Sequence, residues 1–163
     1  MLSSYDVAKY FLSLDPDRIL FNKKVISRNG RDFYEGNARL NKYLHLAQNL
    51  YIAKTGHKLF NSDLYAYDNG AVVLEIQKNY PVLIDRHDAP LIADDTALFL
   101  KKVFRALQNA SIDELIDISH EDSEWLAKHN GYYNSEQLMD SVSRADEYRE
   151  QYKDMLRILD RMN

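Results

Sequence analysis

The sequence predicts a single, mainly α-helical domain: a bundle of helices around one central apolar helix, with a small β-hairpin element. Apolar residues recur at intervals of three and four along most of the chain, which is the spacing of amphipathic helices. Residues 42–56, KYLHLAQNLYIAKTG, are apolar on most sides, as in a helix at the centre of a bundle. Within residues 18–34, β-branched and aromatic residues flank Asn29-Gly30, the usual signal for a tight hairpin turn.

The composition limits the possible classes of function. A chain of 163 residues fits one compact domain, and its net charge of −4 gives no general attraction to phosphate, so nucleic acid is not an expected partner. The absence of cysteine excludes disulfides, thiolate zinc sites and thiol nucleophiles. Residues 1–14 lack the regions of a secretory signal, and no apolar run approaches the roughly 20 residues that span a bilayer. We therefore expect a cytoplasmic protein without membrane contact.

The first half of the chain contains clear helix and strand signals. Helical spacing of apolar residues predicts a helix over residues 5–14. After the hairpin, Asn37 is predicted to cap the central helix at its start, and Gly56 to end it in a left-handed conformation. A short strand is expected over residues 64–67.

Two further helices are predicted in the middle of the chain. One opens at Gly70 and stops before Pro81, because proline disfavours helical conformation in the residue before it. The other covers residues 96–108, with Asp94 or Asp95 as its N-terminal cap.

Capping signals then predict two short helices over residues 112–129. Ser111 and Glu114 have the S-x-x-E spacing of a capping box, and Ser119 with Asp122 repeats it. Two such helices could form a DNA-binding helix-turn-helix. The second helix, however, begins with acidic residues that would repel phosphate, so readout of DNA is not expected.

The C-terminal part is predicted to be one long amphipathic helix. Gly131 closes the preceding helix, and from Asn134 a single apolar stripe continues for about 29 residues at helical spacing. We therefore divide the chain into a domain over residues 1–130 and a helix within residues 131–163 that packs on the domain or extends from it.

A metal-dependent hydrolase stays open as an alternative. Its candidate residues are Asp85, His87 and Asp88 in an acidic loop, and His120, which stands four positions before Glu124. The same features are typical of a solvated loop and of a hydrogen-bonded pair. We favour this second interpretation, because no HExxH motif, glycine-rich phosphate loop or G-x-S-x-G elbow accompanies them. No metal or other cofactor is expected.

The aromatic residues divide into two groups. Tyr51 and Trp125 lie in predicted helices and are expected in the core. Four tyrosines lie in connecting segments, where rigid aromatic side chains are plausible anchors of a protein interface: Tyr65, Tyr67, Tyr132 and Tyr133.

Three segments together resemble the Panacea domain, also known as the SocA-like antitoxin domain of phage and mobile-element proteins. The segments are ARLNKYLHLAQNLYIAKTGHKLF, AYDNGAVVLEI and LIDISHEDSEW, and they follow one another in the order of the family. The positions that match the family pattern are Leu40, Lys42, Leu44, Ala47, Gln48, Thr55, Gly56, Leu59, Phe60, Ala66, Tyr67, Gly70, Val72, Val73, Ser119, His120 and Trp125.

The chain also departs from the family pattern. Ala71 replaces a proline, Asn69 replaces an aromatic residue, and Leu50 stands where tryptophan is common. The hairpin within residues 18–34 resembles an insertion, and the last helix extends beyond the domain.

The resemblance implies a mostly helical bacterial protein without known catalysis. Members typically neutralise a toxin encoded beside them by binding it, and at least one branch acts as an adaptor that delivers the bound toxin to a bacterial AAA+ protease. Eight motif residues are expected to be structural: Leu40, Lys42, Leu44, Gln48, Gly56, Gly70, His120 and Trp125. We place the partner-binding residues at Tyr65, Tyr67, Asn69, Val72 and Val73; association between copies of the chain stays open.

Overall fold

A computed structural model describes residues 1–129 and 137–162. In these ranges, eight α-helices and two small antiparallel sheets surround one hydrophobic core, which confirms the mainly α fold with a small hairpin element. The helices and strands are α1 (Ser4–Ser13), β1 (Val25–Arg28), β2 (Arg31–Tyr34), α2 (Glu35–Thr55), β3 (Leu64–Tyr67), β4 (Gly70–Val73), α3 (Leu74–Leu83), α4 (Asp94–Leu107), α5 (Ile112–His120), α6 (Ser123–Lys128), α7 (Ala145–Gln151) and α8 (Lys153–Asp160).

Helix α2 is the centre of the fold, as its apolar composition predicted. Fifteen of its 21 residues are buried, and it contacts α1, α3, α4, α5, α7 and both hairpins. It ends at Gly56, whose φ of 77° is left-handed and whose N–H donates to the Ile52 carbonyl. This confirms the predicted C-terminal cap, a conformation that glycine adopts without steric cost.

Two predicted helix caps are wrong. Helix α2 begins at Glu35, after Tyr34, so Asn37 lies inside its first turn. Helix α4 begins after Ala93, so Asp94 and Asp95 lie in its first turn and neither is the cap. Both aspartates still stabilise the helix there, because negative charge is favourable at the positive end of the helix dipole.

The first hairpin has the turn that the sequence predicted. Asn29 and Gly30 have φ values of 53° and 74°, and the register pairs Arg28 with Arg31 across them. Positive φ at both central residues defines the type I′ turn that fits the twist of the strands. The hairpin leans on α2 through β2 and reaches α5 through an ion pair between Arg28 and Asp113.

The segment after Gly70 is a strand and not the start of a helix. Gly70 has a φ of 103°, and Gly70–Val73 pairs with β3 as a second hairpin. Helix α3 begins only at Leu74. The β-branched pair at positions 72 and 73 favours the extended conformation, which local periodicity did not reveal.

Helix α3 also continues through Pro81, where the sequence predicted its end. Proline has no N–H to donate to the carbonyl four residues earlier. That carbonyl belongs to Gln77, and it accepts a hydrogen bond of 3.1 Å from Asn37 Nδ2. A side chain of α2 therefore supplies the donor that the proline lacks.

One of the two predicted capping boxes is present. Ser111 and Glu114 form the reciprocal hydrogen bonds of a capping box at the start of α5. The second box is wrong: Asp122 is itself the cap of α6 and accepts from Glu124 N–H at 2.9 Å. Ser119 lies in the last turn of α5.

The predicted long C-terminal helix is wrong in the described residues. Residues 137–139 are extended and pair with β3 through Ala66 N–H to Gln137 O and Met139 N–H to Leu64 O. A 3₁₀ turn follows, and then α7 and α8 are separated by a break at Tyr152. The break lets α7 pack on α2 while α8 packs on α4. The predicted starting positions, Gly131 and Asn134, lie outside the described residues.

Candidate partner-binding surface

A buried polar cluster joins α2 to the junction of α5 and α6. His45 Nδ1 lies 2.9 Å from Ser119 Oγ, and His45 Nε2 lies 2.6 Å from Asp122 Oδ2. This is the residue set of a serine-hydrolase triad. All three residues are fully buried, and Ser119 Oγ also accepts from Ala71 N–H at 3.1 Å. Because no substrate can reach the hydroxyl in this conformation, we assign the cluster a structural role.

Asp122 is the centre of this cluster. Its carboxylate accepts from Asn49 Nδ2 at 2.8 Å and from the Tyr148 hydroxyl at 2.5 Å, in addition to His45 and Glu124 N–H. Burial raises the pKa of Asp122. The hydrogen bond and charge of His45 lower the pKa, and so do the hydrogen bonds from Tyr148 and Asn49. Together these interactions outweigh burial and lower the pKa to about 2. The carboxylate therefore ties α2, α6 and α7 together.

Gln48, a polar position of the family pattern on α2, is also hydrogen-bonded inside the core. Its Oε1 accepts from Leu59 N–H at 2.7 Å and from Phe60 N–H at 3.2 Å. Its Nε2 donates to the Phe60 carbonyl at 2.9 Å. Gln48 and His45 are therefore buried polar residues of the central helix whose side chains are hydrogen-bonded within the packed bundle.

Three stacked rings hold the second hairpin. Trp125 lies between His120 and His129, with ring centroids 4.1 and 4.3 Å apart. Each ring also contacts a backbone carbonyl of β3 or its turn: Trp125 Nε1 donates to Tyr67 at 2.9 Å, His120 Nε2 lies 2.8 Å from Asp68 O, and His129 Nδ1 lies 3.2 Å from Ala66 O. Burial lowers the pKa of His120. The motif residues His120 and Trp125 therefore fix the hairpin in place.

Three of the four hydrolase candidates have other partners, and the fourth, His87, is exposed in the segment that follows α3. Asp85 and Asp88 are exposed and pair with Lys23 and Lys9, at 3.7 and 3.0 Å, and His120 belongs to the ring stack. Across residues 1–129 and 137–162, no three histidine, aspartate or glutamate side chains lie together as a metal site would require.

The predicted partner-binding residues differ in exposure. Tyr65 and Asn69 are half-buried, whereas Tyr67 and Val72 retain 5% and 6% of their surface. Val73 is fully buried, and its N–H donates to Asn41 Oδ1 at 2.8 Å, so its side chain adds nothing to the surface in this conformation. The predicted anchors Tyr132 and Tyr133 lie outside the described residues.

A cleft of about 200 Å³ lies between the two hairpins, above α2. We call it the hairpin cleft. Its lining residues are Arg31, Asp32, Phe33, Asn37, Ala38, Asn41, Lys42, Tyr67, Asn69, Gly70, Val72 and Gln77. It brings together Tyr67, Asn69 and Val72 from the predicted set. The contribution of β2 was missed, because nothing in the local sequence places one hairpin beside the other.

Lys42 lines the cleft from α2. Its side chain is 2% exposed, and Nζ donates to the Ala71 carbonyl at 3.1 Å. Burial lowers the pKa of Lys42 to about 7. Cε passes so close to Gly70 that a Cβ there would lie 2.5 Å from it. Gly70 is therefore required both by its positive φ and by this approach. A lysine at a buried position of an apolar helix was the sequence signal that could have located the cleft.

The structure is a helical domain in which the buried polar cluster has a structural role. The hairpin cleft lies between its two hairpins. The family described as antitoxin SocA-like, Panacea domain, matches residues 40–126, just over half of the chain. The chain belongs to this family. The matched part extends from α2 into α6, whereas the first hairpin and helices α7 and α8 lie outside it. Comparisons with curated proteins and with solved structures found no match. None of the helices in the described residues combines the length and apolarity needed to cross a bilayer.

Proposed function

We propose that this protein is an antitoxin-type binding module of the bacterial cytoplasm, which neutralises a cognate toxin by direct binding and without catalysis. Membership of the antitoxin family carries the proposal. The burial of the Ser119, His45 and Asp122 cluster supports it, because the residues best suited to catalysis hold the core together.

The toxin contacts the face that carries the two hairpins. Their tips are joined by a hydrogen bond of 2.8 Å from Asn29 Nδ2 to Asn69 Oδ1, so they offer one continuous surface. Tyr65 stands on β3 as a half-exposed aromatic anchor. A standard interface buries about 1,600 Å² in total, or roughly 800 Å² on each partner, which is a modest part of the 8223 Å² accessible surface of this chain.

Co-expression with the protein encoded by the adjacent gene tests the proposal. We expect the neighbour alone to stop growth, and joint expression to restore it. The purified proteins should form a stable complex. Tyr65→Ser should weaken this complex, whereas Tyr10→Ser, a matched change at another half-buried tyrosine, should not. A neighbour that is harmless alone, or that still kills in the presence of this protein, would refute the proposal.

The same assay separates neutralisation by binding from delivery to a protease. If this protein is an adaptor, growth rescue disappears in a host that lacks the AAA+ protease, although the complex still forms. Deleting the C-terminal region is less informative. Tyr148 and Tyr152 are buried and hydrogen-bonded to Asp122 and Asn49, so the deletion would remove part of the core.

A further inference from the structure

The hairpin cleft contains the buried amine of Lys42, which has no carboxylate partner among the described residues. Lys42 Nζ has one hydrogen-bond acceptor, the Ala71 carbonyl, although an ammonium group can donate three hydrogen bonds. No carboxylate of residues 1–129 and 137–162 lies within 4 Å of it. A buried charge is unfavourable unless it is paired, and burial lowers the pKa of this amine accordingly. The position therefore favours an anion supplied from outside the chain.

A second donor stands at the rim of the cleft. Asn69 Oδ1 accepts from Asn29 Nδ2, and Asn69 Nδ2 has no acceptor within the part of the chain that the structure describes. Asn37 and Asn41, by contrast, use their amides to hold the Gln77 carbonyl and Val73 N–H. The cleft thus presents two groups that can still donate, Lys42 Nζ, which has used one of its N–H donors, and Asn69 Nδ2.

We propose that the hairpin cleft receives one aspartate or glutamate side chain of the toxin, whose carboxylate pairs with Lys42 and accepts from Asn69. The inference rests on the proposed antitoxin function and names the chemistry of its contact. A cleft of about 200 Å³ has the volume of roughly six or seven water molecules, enough for one acidic side chain and too small for a folded element.

The charge around the cleft favours a carboxylate over a phosphate. Lys42 offers a single positive charge, and Arg28 nearby on the first hairpin is paired with Asp113. At the wall of the cleft, Arg31 is accompanied by the opposite charge of Asp32. A phosphate group carries close to two negative charges at neutral pH, which these groups do not balance.

The small number of donors favours a protein side chain over a free carboxylate. One buried ammonium and one amide give too few contacts to hold a small acid tightly, because association itself costs several kcal/mol. A toxin side chain enters as part of a larger interface, which supplies the remaining binding free energy.

The test compares binding of the purified toxin to wild type, Lys42→Met and Lys101→Met. Methionine keeps the length of the buried chain and removes the charge, and Lys101 is an exposed control on α4. We expect Lys42→Met to weaken binding at least tenfold with an unchanged or higher melting temperature, and Lys101→Met to bind as wild type does. Asn69→Ala, a rim change with little effect on folding, should weaken binding about three- to tenfold.

The acidic residues of the toxin are replaced one at a time, aspartate by asparagine and glutamate by glutamine. At one position the replacement should weaken binding as much as Lys42→Met does. Combined with Lys42→Met, that replacement should cause no further loss of binding. If wild type binds the toxin and both Lys42→Met and Asn69→Ala bind equally well, the inference is overturned and the antitoxin function stands. Absence of binding by wild type would overturn both. Sodium glutarate tests whether the cleft binds a free carboxylic acid. A shift of the Lys42 Cε NMR resonance at sub-millimolar glutarate would assign the cleft to free acids instead.

Discussion

Replacing Asp122 by asparagine tests whether the buried cluster holds the fold together. Each carboxylate oxygen accepts two hydrogen bonds: Oδ1 from Glu124 N–H and Tyr148, and Oδ2 from His45 and Asn49. Asparagine has the same shape but must place an NH₂ group at one of these positions. Tyr148 and His45 can become acceptors, and Asn49 can rotate its amide to present Oδ1, which has no partner among the described residues, whereas the Glu124 N–H can only donate. An NH₂ group at the Oδ1 position therefore faces the Glu124 N–H, and one at the Oδ2 position requires both a new tautomer of His45 and a rotated Asn49.

The expected loss is about 2–4 kcal/mol of unfolding free energy. An orphaned buried donor costs roughly 1–3 kcal/mol, and hydrogen bonds to a charged acceptor contribute about 1.5–3 kcal/mol each, more than hydrogen bonds to a neutral one. A domain is usually stable by about 5–15 kcal/mol, so Asp122→Asn should remain folded at 25 °C but unfold at markedly lower urea concentration.

Urea unfolding at pH 7, followed by circular dichroism, measures this loss. Asp146→Asn is the matched control, because Asp146 is exposed and pairs only with Arg149 at the surface; we expect it to change stability by less than about 0.5 kcal/mol. A loss below about 1 kcal/mol for Asp122→Asn would refute the structural role of the cluster.

The difference in unfolding free energy between wild type and Asp122→Asn should depend on pH. The pKa of Asp122 is lowered from 3.8 to about 2, so the unfolded chain takes up a proton first as the pH falls. The stabilisation by this carboxylate is complete above the unfolded pKa and is lost as the pH falls through the folded one. At about 1.4 kcal/mol per pH unit, the gap between wild type and Asp122→Asn should narrow by roughly 2 kcal/mol between pH 5 and pH 2. A constant gap would contradict the shift.

Three further changes test other parts of the fold by the same unfolding assay. Gly70→Ala should cost at least about 2 kcal/mol, because it forces Cβ against Lys42 Cε at a positive φ; a neutral result would contradict the close approach. Gln48→Leu should cost roughly 2–4 kcal/mol, since it orphans two buried N–H groups and a carbonyl, whereas Gln151→Leu on the surface should cost little. Ser111→Ala should remove the capping box of α5 and cost about 1 kcal/mol, and Ser143→Ala serves as its exposed comparison.

Local signals predicted the elements that depend on neighbouring residues. The turn at Asn29-Gly30, the end of α2 at Gly56 and the capping box at Ser111 were all found from short patterns, because their geometry depends on the backbone freedom or side-chain reach of a few residues. The errors at Gly70 and Pro81 have the opposite origin. A partner strand and the amide of Asn37 decide those conformations, and both come from distant parts of the sequence.

The site shows the same division. The family motif indicated that His120 and Trp125 are structural, but only the fold shows that they contact backbone carbonyls of β3 and of the turn that follows it. Of the predicted partner-binding residues, Val73 points into the core. Alternate residues of a strand face opposite sides of a sheet. The sequence analysis did not predict β4, so it could not tell which of its residues face the core.

By itself, the sequence determined that this chain folds as a helical domain around one buried helix, because hydrophobic periodicity and turn residues act within a few positions. The tertiary structure decided which polar groups are paired. His45 and Asp122 are 77 positions apart and lie in contact, whereas Lys42 is brought into a cleft where no carboxylate of the described residues lies within 4 Å of its amine. Pairing of buried polar groups depends on distance in space, and the packing of whole elements sets that distance.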